Sequence, residues 1–126
     1  MKTIRQFILD TLLPYKEDRS TCAIDKETKF CMYLTDDGRK CAVGKHMKEG
    51  SWQQYTGDAI TLLNKFTACE ILKEEAFNMD ISDEGWKLIQ LYHDNLSLNR
   101  VAQTNKYVRA LEGYFETDLE ELIIEL

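Results

Sequence analysis

A chain of 126 residues, 44% apolar and 30% charged, has the composition of one globular domain, and it can bury a core without disulfide or metal staples. Its 22 acidic and 16 basic residues give a net charge of −6, which excludes a generally basic nucleic-acid binder. All 16 basic residues lie at or before Arg109, balanced there by as many acidic ones, so Glu112, Glu116, Asp118, Glu120, Glu121 and Glu125 carry the whole excess.

The start of the sequence, Met1 to Phe7, holds neither the apolar run nor the small-residue site of a secretory signal. No stretch approaches the roughly 18 apolar residues of a membrane span. The expectation is a cytoplasmic protein with no membrane contact. Cys22, Cys31, Cys41 and Cys69 are too sparse for a disulfide framework and read as free thiols, packed as small hydrophobes.

Ile4, Phe7, Ile8 and Leu12, widened by Leu9 and Leu13, predict a first helix. Pro14 is expected to end it, because proline has no N–H for the helical ladder. Residues 15–27 read as a loop. Phe30 to Leu34 reads as a strand, Asp36-Asp37-Gly38 as a turn, and Lys40 to Val43 as the returning strand. Residues 44–57 read as irregular, anchored by Trp52 and Tyr55. A second helix is expected from an Asp58 N-cap to about Phe77, broken by Asn78-Met79-Asp80. Ser82 caps a third helix carrying Trp86, Leu88, Ile89, Leu91, Tyr92 and Leu96. A fourth runs from about Leu98 to Tyr114. The last begins at Thr117, where Thr117 and Glu120 form a capping box and Leu119, Leu122, Ile123 and Leu126 form the apolar stripe. The expected fold is one α+β domain over residues 1–126, with a small antiparallel hairpin packed against four to five helices.

Two motifs carry a resemblance. Cys31-Met32-Tyr33, Gly38 and Lys40-Cys41-Ala42-Val43-Gly44 fit the pattern C-x-Y, Gly, K-C-A-[IV]-G. Leu88 to Asp94 fits L-x-Q-x-x-H-D. The combination resembles a family of small proteins of tailed bacteriophages and prophages, and covers roughly residues 3–96. Leu34 departs from it, standing where the family often has arginine. The family brings no agreed chemistry; the resemblance implies an accessory phage protein acting in the host bacterial cytoplasm. Residues 97–126, the helical part with the acidic end, lie beyond the resemblance.

Zinc chemistry has ligand types in Cys22, Cys31, Cys41, His46 and His93, but the cysteines are separated by eight and nine residues, unlike a zinc knuckle. A two-residue hairpin loop sets Cys31 and Cys41 roughly 10 Å apart along the strands, too far for the about 7 Å of a disulfide. No metal and no cofactor is therefore expected. A Cys41 nucleophile with His93 as base meets a geometric objection: on a helix, Asp94 points about 100° away from His93 and is badly placed to orient it. P-loop, nucleophile-elbow, H-E-x-x-H and dinucleotide signatures are absent. Catalytic residues are not expected. Segment 25–48 nets only +2, and its basic residues read as a solvated face rather than a nucleic-acid surface.

The favoured expectation is a protein that binds and modulates a host protein, one with a basic nucleic-acid-binding groove. The contact residues would be Glu116, Asp118, Glu120, Glu121 and Glu125, with Tyr114 and Phe115 as aromatic anchors. A CRISPR-type immune effector is the most concrete partner, and the amphipathic last helix also suits a homodimer seam. The alternative is a small-ligand or zinc-binding module built on Cys31, Tyr33, Arg39, Cys41 and His93.

Overall fold

The computed structural model describes residues 2–23, 38–48 and 71–125. Among these the architecture is helical. Helix α1 spans Ile4–Glu17, a short α2 spans Glu74–Asn78, α3 spans Asp83–Ser97 and α4 spans Val101–Phe115, with single 3₁₀ turns at Arg19–Thr21, Gly44–His46 and Glu120–Leu122. The expected α+β fold is overturned in this part of the chain, which contains no strand.

The reason is local. Lys40 to Val43, read as a returning strand, instead leads into a turn: Val43 has φ −80° and ψ −41° and opens the 3₁₀ turn at Gly44. The Cys41 thiol accepts the Gly44 N–H at 3.1 Å, which favours the turn. Gly38 has φ +88°, the conformation expected of a glycine in a tight turn. The first predicted strand, Phe30 to Leu34, lies outside the described residues, as do Asp36, Asp37, Trp52, Tyr55 and Asp58. Met47 and Leu72 form an isolated antiparallel bridge. That bridge also interrupts the predicted second helix. Lys73 is extended and its N–H donates to the His46 carbonyl before α2 begins.

Helix α1 begins as the sequence indicates, with the Thr3 hydroxyl accepting the Gln6 N–H. It does not end at Pro14. Proline removes one ladder bond, but Asp10, whose carbonyl loses it, is exposed to water. Tyr15, one residue further on, is 3% exposed and donates its hydroxyl to the Lys40 carbonyl, so packing holds the last turn. Ser82 caps α3 as read from the sequence, accepting the Gly85 N–H at 3.2 Å. Asp80 and Asn99 take left-handed conformations at the corners before α3 and α4. Gly85 permits close approach of α4: a Cβ there would stand 2.8 Å from Ile81 and 2.9 Å from the Phe115 ring.

The start of α3 meets the end of α4 at Gly85 and Phe115, so the two helices pack as an antiparallel pair, and α1 packs against α3. Phe7 meets Trp86 edge-on, with centroids 6.0 Å apart. The core includes Ile8, Leu12, Trp86, Ile89, Tyr92, Leu96, Val108, Leu111, Leu119 and Leu122. Thr11, Gln90, His93, Asn95 and Thr104 are buried polar residues, and each has a hydrogen-bond partner. No helix among the described residues is long and apolar enough to cross a membrane.

The predicted final helix is also corrected. Chain direction changes at Glu116, which is left-handed with φ +54°, and residues 118–125 form a strap with one 3₁₀ turn. The strap wins over the helical pattern because Leu119 and Leu122 each reach 0% exposure. Its main chain is also bound by side chains of three helices. Tyr92 donates to the Leu122 carbonyl at 2.8 Å, and Lys16 to the Glu121 carbonyl at 2.7 Å. The Asn105 amide accepts the Ile124 N–H and donates to its carbonyl, at 2.8 and 2.9 Å.

Candidate functional site

Two groups of polar side chains qualify for attention, and the structure treats them differently. The first joins the two sequence motifs. Gln90, His93 and Asp94 share one face of α3, as spacings of three and four residues require. The Gln90 carbonyl oxygen accepts the Val43 N–H at 3.2 Å, and its amide donates to Asp94 Oδ1 at 2.7 Å. His93 Nε2 accepts the Ala23 N–H at 3.1 Å, so its proton sits on Nδ1 and is given to Asp94 Oδ1 at 2.9 Å. The expectation that Asp94 is badly placed to orient His93 is thus corrected. Side-chain reach closes the angle between neighbouring helical positions. Tyr15 covers the imidazole edge-on at 4.7 Å.

This cluster ties segments 22–23 and 41–44 to α3. Its acid–base groups are occupied by one another and by backbone. Cys22 and Cys41 are each 1% exposed. Burial pushes both thiols up to about 12, so neither is a thiolate at neutral pH. Arg39 donates to the Cys22 carbonyl at 2.8 Å. Of the five residues expected for a ligand module, Arg39, Cys41 and His93 are brought to one neighbourhood, with both His93 ring nitrogens engaged. Cys31 and Tyr33 lie outside the described residues. The sequence reading had the His-Asp pair but missed Gln90, whose place in L-x-Q-x-x-H-D puts it one helical turn before both.

The second group is the acidic edge formed by the end of α4 and the strap. It is partly neutralised. Arg109 donates to Glu112 at 2.7 Å and Glu120 at 2.9 Å, holding the Glu112 carboxyl below its ordinary range together with the Leu119 N–H. Glu121 pairs with Arg5, and its carboxyl is likewise lowered, first by its own backbone N–H and then by Arg5. Asp118 caps the Glu120 N–H at 2.9 Å, and its carbonyl accepts from Arg5. Carboxylate oxygens of Glu112, Asp118 and Glu120 lie within 4.8 Å of one another, and the Arg109 guanidinium supplies their countercharge.

Glu116 and Glu125 are exposed. Tyr114 is 43% exposed, with its hydroxyl bonded to Ser82, while Phe115 is partly buried against Gly85 and meets Tyr114 edge-on at 4.9 Å. Of the predicted contact residues, Tyr114, Glu116, Asp118 and Glu125 therefore present themselves outward. Glu120 and Glu121 are tied to arginines, and Phe115 serves packing. The roles of Arg5 and Lys16 had no signal in the sequence, because both act across more than 100 residues. No protein-family model, curated protein or solved structure matches the chain.

Proposed function

We propose that this chain is a non-enzymatic, phage-encoded accessory protein that binds a basic host protein in the bacterial cytoplasm. The observation that carries the reading is the corner after α4. There, Tyr114, Glu116 and Asp118 are all exposed within five residues of chain that turn at left-handed Glu116. An aromatic side chain flanked by carboxylates suits an arginine-rich surface: the ring receives the guanidinium face and the acids its charge. A basic nucleic-acid-binding groove offers that chemistry, and a CRISPR-type effector is the most concrete owner of one. The non-enzymatic part is supported by the pairing of His93 with Asp94 and by the burial of both described thiols.

Capture from host extract at low and high salt tests this. The wild-type chain is expected to retain a basic protein that elutes as salt rises. A Glu116→Lys, Asp118→Lys, Glu125→Lys variant is expected to lose it. Equal capture by the two proteins would overturn the reading.

A further inference from the structure

The contacts under the strap are made to its main chain. Arg5 binds the Asp118 carbonyl, Lys16 the Glu121 carbonyl, Tyr92 the Leu122 carbonyl, and Asn105 both the N–H and the carbonyl of Ile124. Leu119 and Leu122 fill the core at a spacing of three. A side-chain amide that pairs with one residue's N–H and carbonyl fixes that residue's backbone, whatever its side chain. The cations Arg5 and Lys16 match the acidic character of the segment, whose sequence from Asp118 is Asp-Leu-Glu-Glu-Leu-Ile-Ile-Glu. The surface formed by α1, α3 and α4 is therefore a groove that holds an acidic segment bent by one 3₁₀ turn, with two leucine anchors.

We infer that this groove also accepts the strap of a second copy of the chain, giving a dimer by reciprocal exchange of residues 118–125. The occupant is argued from complementarity: the one segment shown to fit is the chain's own, and a second copy carries it. The corner that would open is also specific. Glu116 is a non-glycine residue at φ +54°, a conformation L-residues disfavour, and straightening it relieves that strain while preserving every groove contact in the partner. This inference is independent of any host partner.

The test uses the full chain and its Glu116→Pro and Glu116→Gly variants. Proline cannot adopt φ +54°, so it forces the corner open; glycine removes the strain and keeps it closed. Mass by light scattering is read across a wide concentration range, together with hydrogen exchange at the Ile124 amide. The expected result is a dimer for Glu116→Pro in which the Ile124 amide stays protected, because Asn105 of the other copy now holds it, and a monomer for Glu116→Gly. A Glu116→Pro monomer overturns the inference, whether or not the amide stays protected. A dimer with that amide unprotected also overturns it, because association would then bypass the groove. Asn105→Ala in the Glu116→Pro background is expected to raise the monomer fraction, and an unchanged dimer would count against the clamp.

Discussion

The His93 cluster and the acidic edge are both made of charged and polar side chains, and they obey different rules. Around His93 the imidazole and Gln90 are sealed from water, with only Asp94 partly exposed, so their hydrogen bonds must be made. Removing one partner strands another in a poorly solvating interior. Along the strap the carboxylates face solvent, where ion pairs contribute little and the main-chain contacts and two leucines hold the segment. The comparison separates residues that specify the fold from residues free to meet a partner. The sequence motif with the most chemical look, His-Asp beside Cys, belongs to the first group.

The largest effect should come from the sealed side. His93→Ala leaves the Ala23 N–H without its partner and removes the ring that packs against Tyr15. A loss of about 3 kcal/mol of unfolding free energy is expected in urea denaturation. If the cost were under about 1 kcal/mol, the cluster would not be the fastener described, and the contrast with the edge would collapse.

A second test uses pH. His46 stacks on Phe7 at 4.6 Å and gives its Nε2 proton to Thr11, which in turn donates to the Phe7 carbonyl. Burial, followed by Lys45 and Lys73, lowers its ordinary value of 6.5 to about 4, with Glu75 opposing and Lys2 adding weakly. The unfolded chain therefore binds a proton that the folded chain refuses between those values. Stability is full above about 6.5 and falls as pH drops toward 4, by about 3 kcal/mol at most. Denaturation at pH 7 and pH 5 should show the decline, and His46→Gln should remove most of it. An unchanged slope in that variant would place the pH sensitivity elsewhere.

Asn105→Ala should act more locally. It deletes both amide contacts to Ile124, at a cost of about 1–2 kcal/mol. Hydrogen exchange should rise at Ile124 and stay unchanged at α3. A uniform rise would mean that the strap and the α3–α4 core unfold as one unit.

These residues also show how far the sequence could be read. Caps and periodicity carry local information, so the start of α1, the Ser82 cap and the spans of α3 and α4 were legible. Pro14 misled because propensity was overruled by the burial of Tyr15. Lys40 to Val43 follows an Asp-Gly turn signal and reads as a strand, yet the Cys41–Gly44 contact and the Gln90 amide pull it into a turn. The last segment has a helical stripe, but Asn105, Tyr92 and Lys16 bind its backbone from distant positions, and no pattern within residues 117–126 encodes those partners. Charge counting along the chain likewise overstated the acidic end. Arg5 and Lys16 lie more than 100 positions away in sequence and meet it only in the folded state.

That neutralisation gives the smallest and most discriminating test. Arg109 is exposed and holds Glu112 and Glu120, while Glu112 separately fixes the Leu119 N–H. Arg109→Ala should leave the unfolding midpoint nearly unchanged, because exposed ion pairs exchange one hydrated state for another. It should, however, make the edge one charge more negative and free Glu120. If the edge meets a basic partner by electrostatic attraction, association of the variant should be faster at low salt, with a steeper decline as salt rises. A stability loss comparable to His93→Ala would instead make Arg109 part of the fold's framework. The acidic edge would then resemble the sealed cluster, its carboxylates needed to hold the strap rather than to face a second protein.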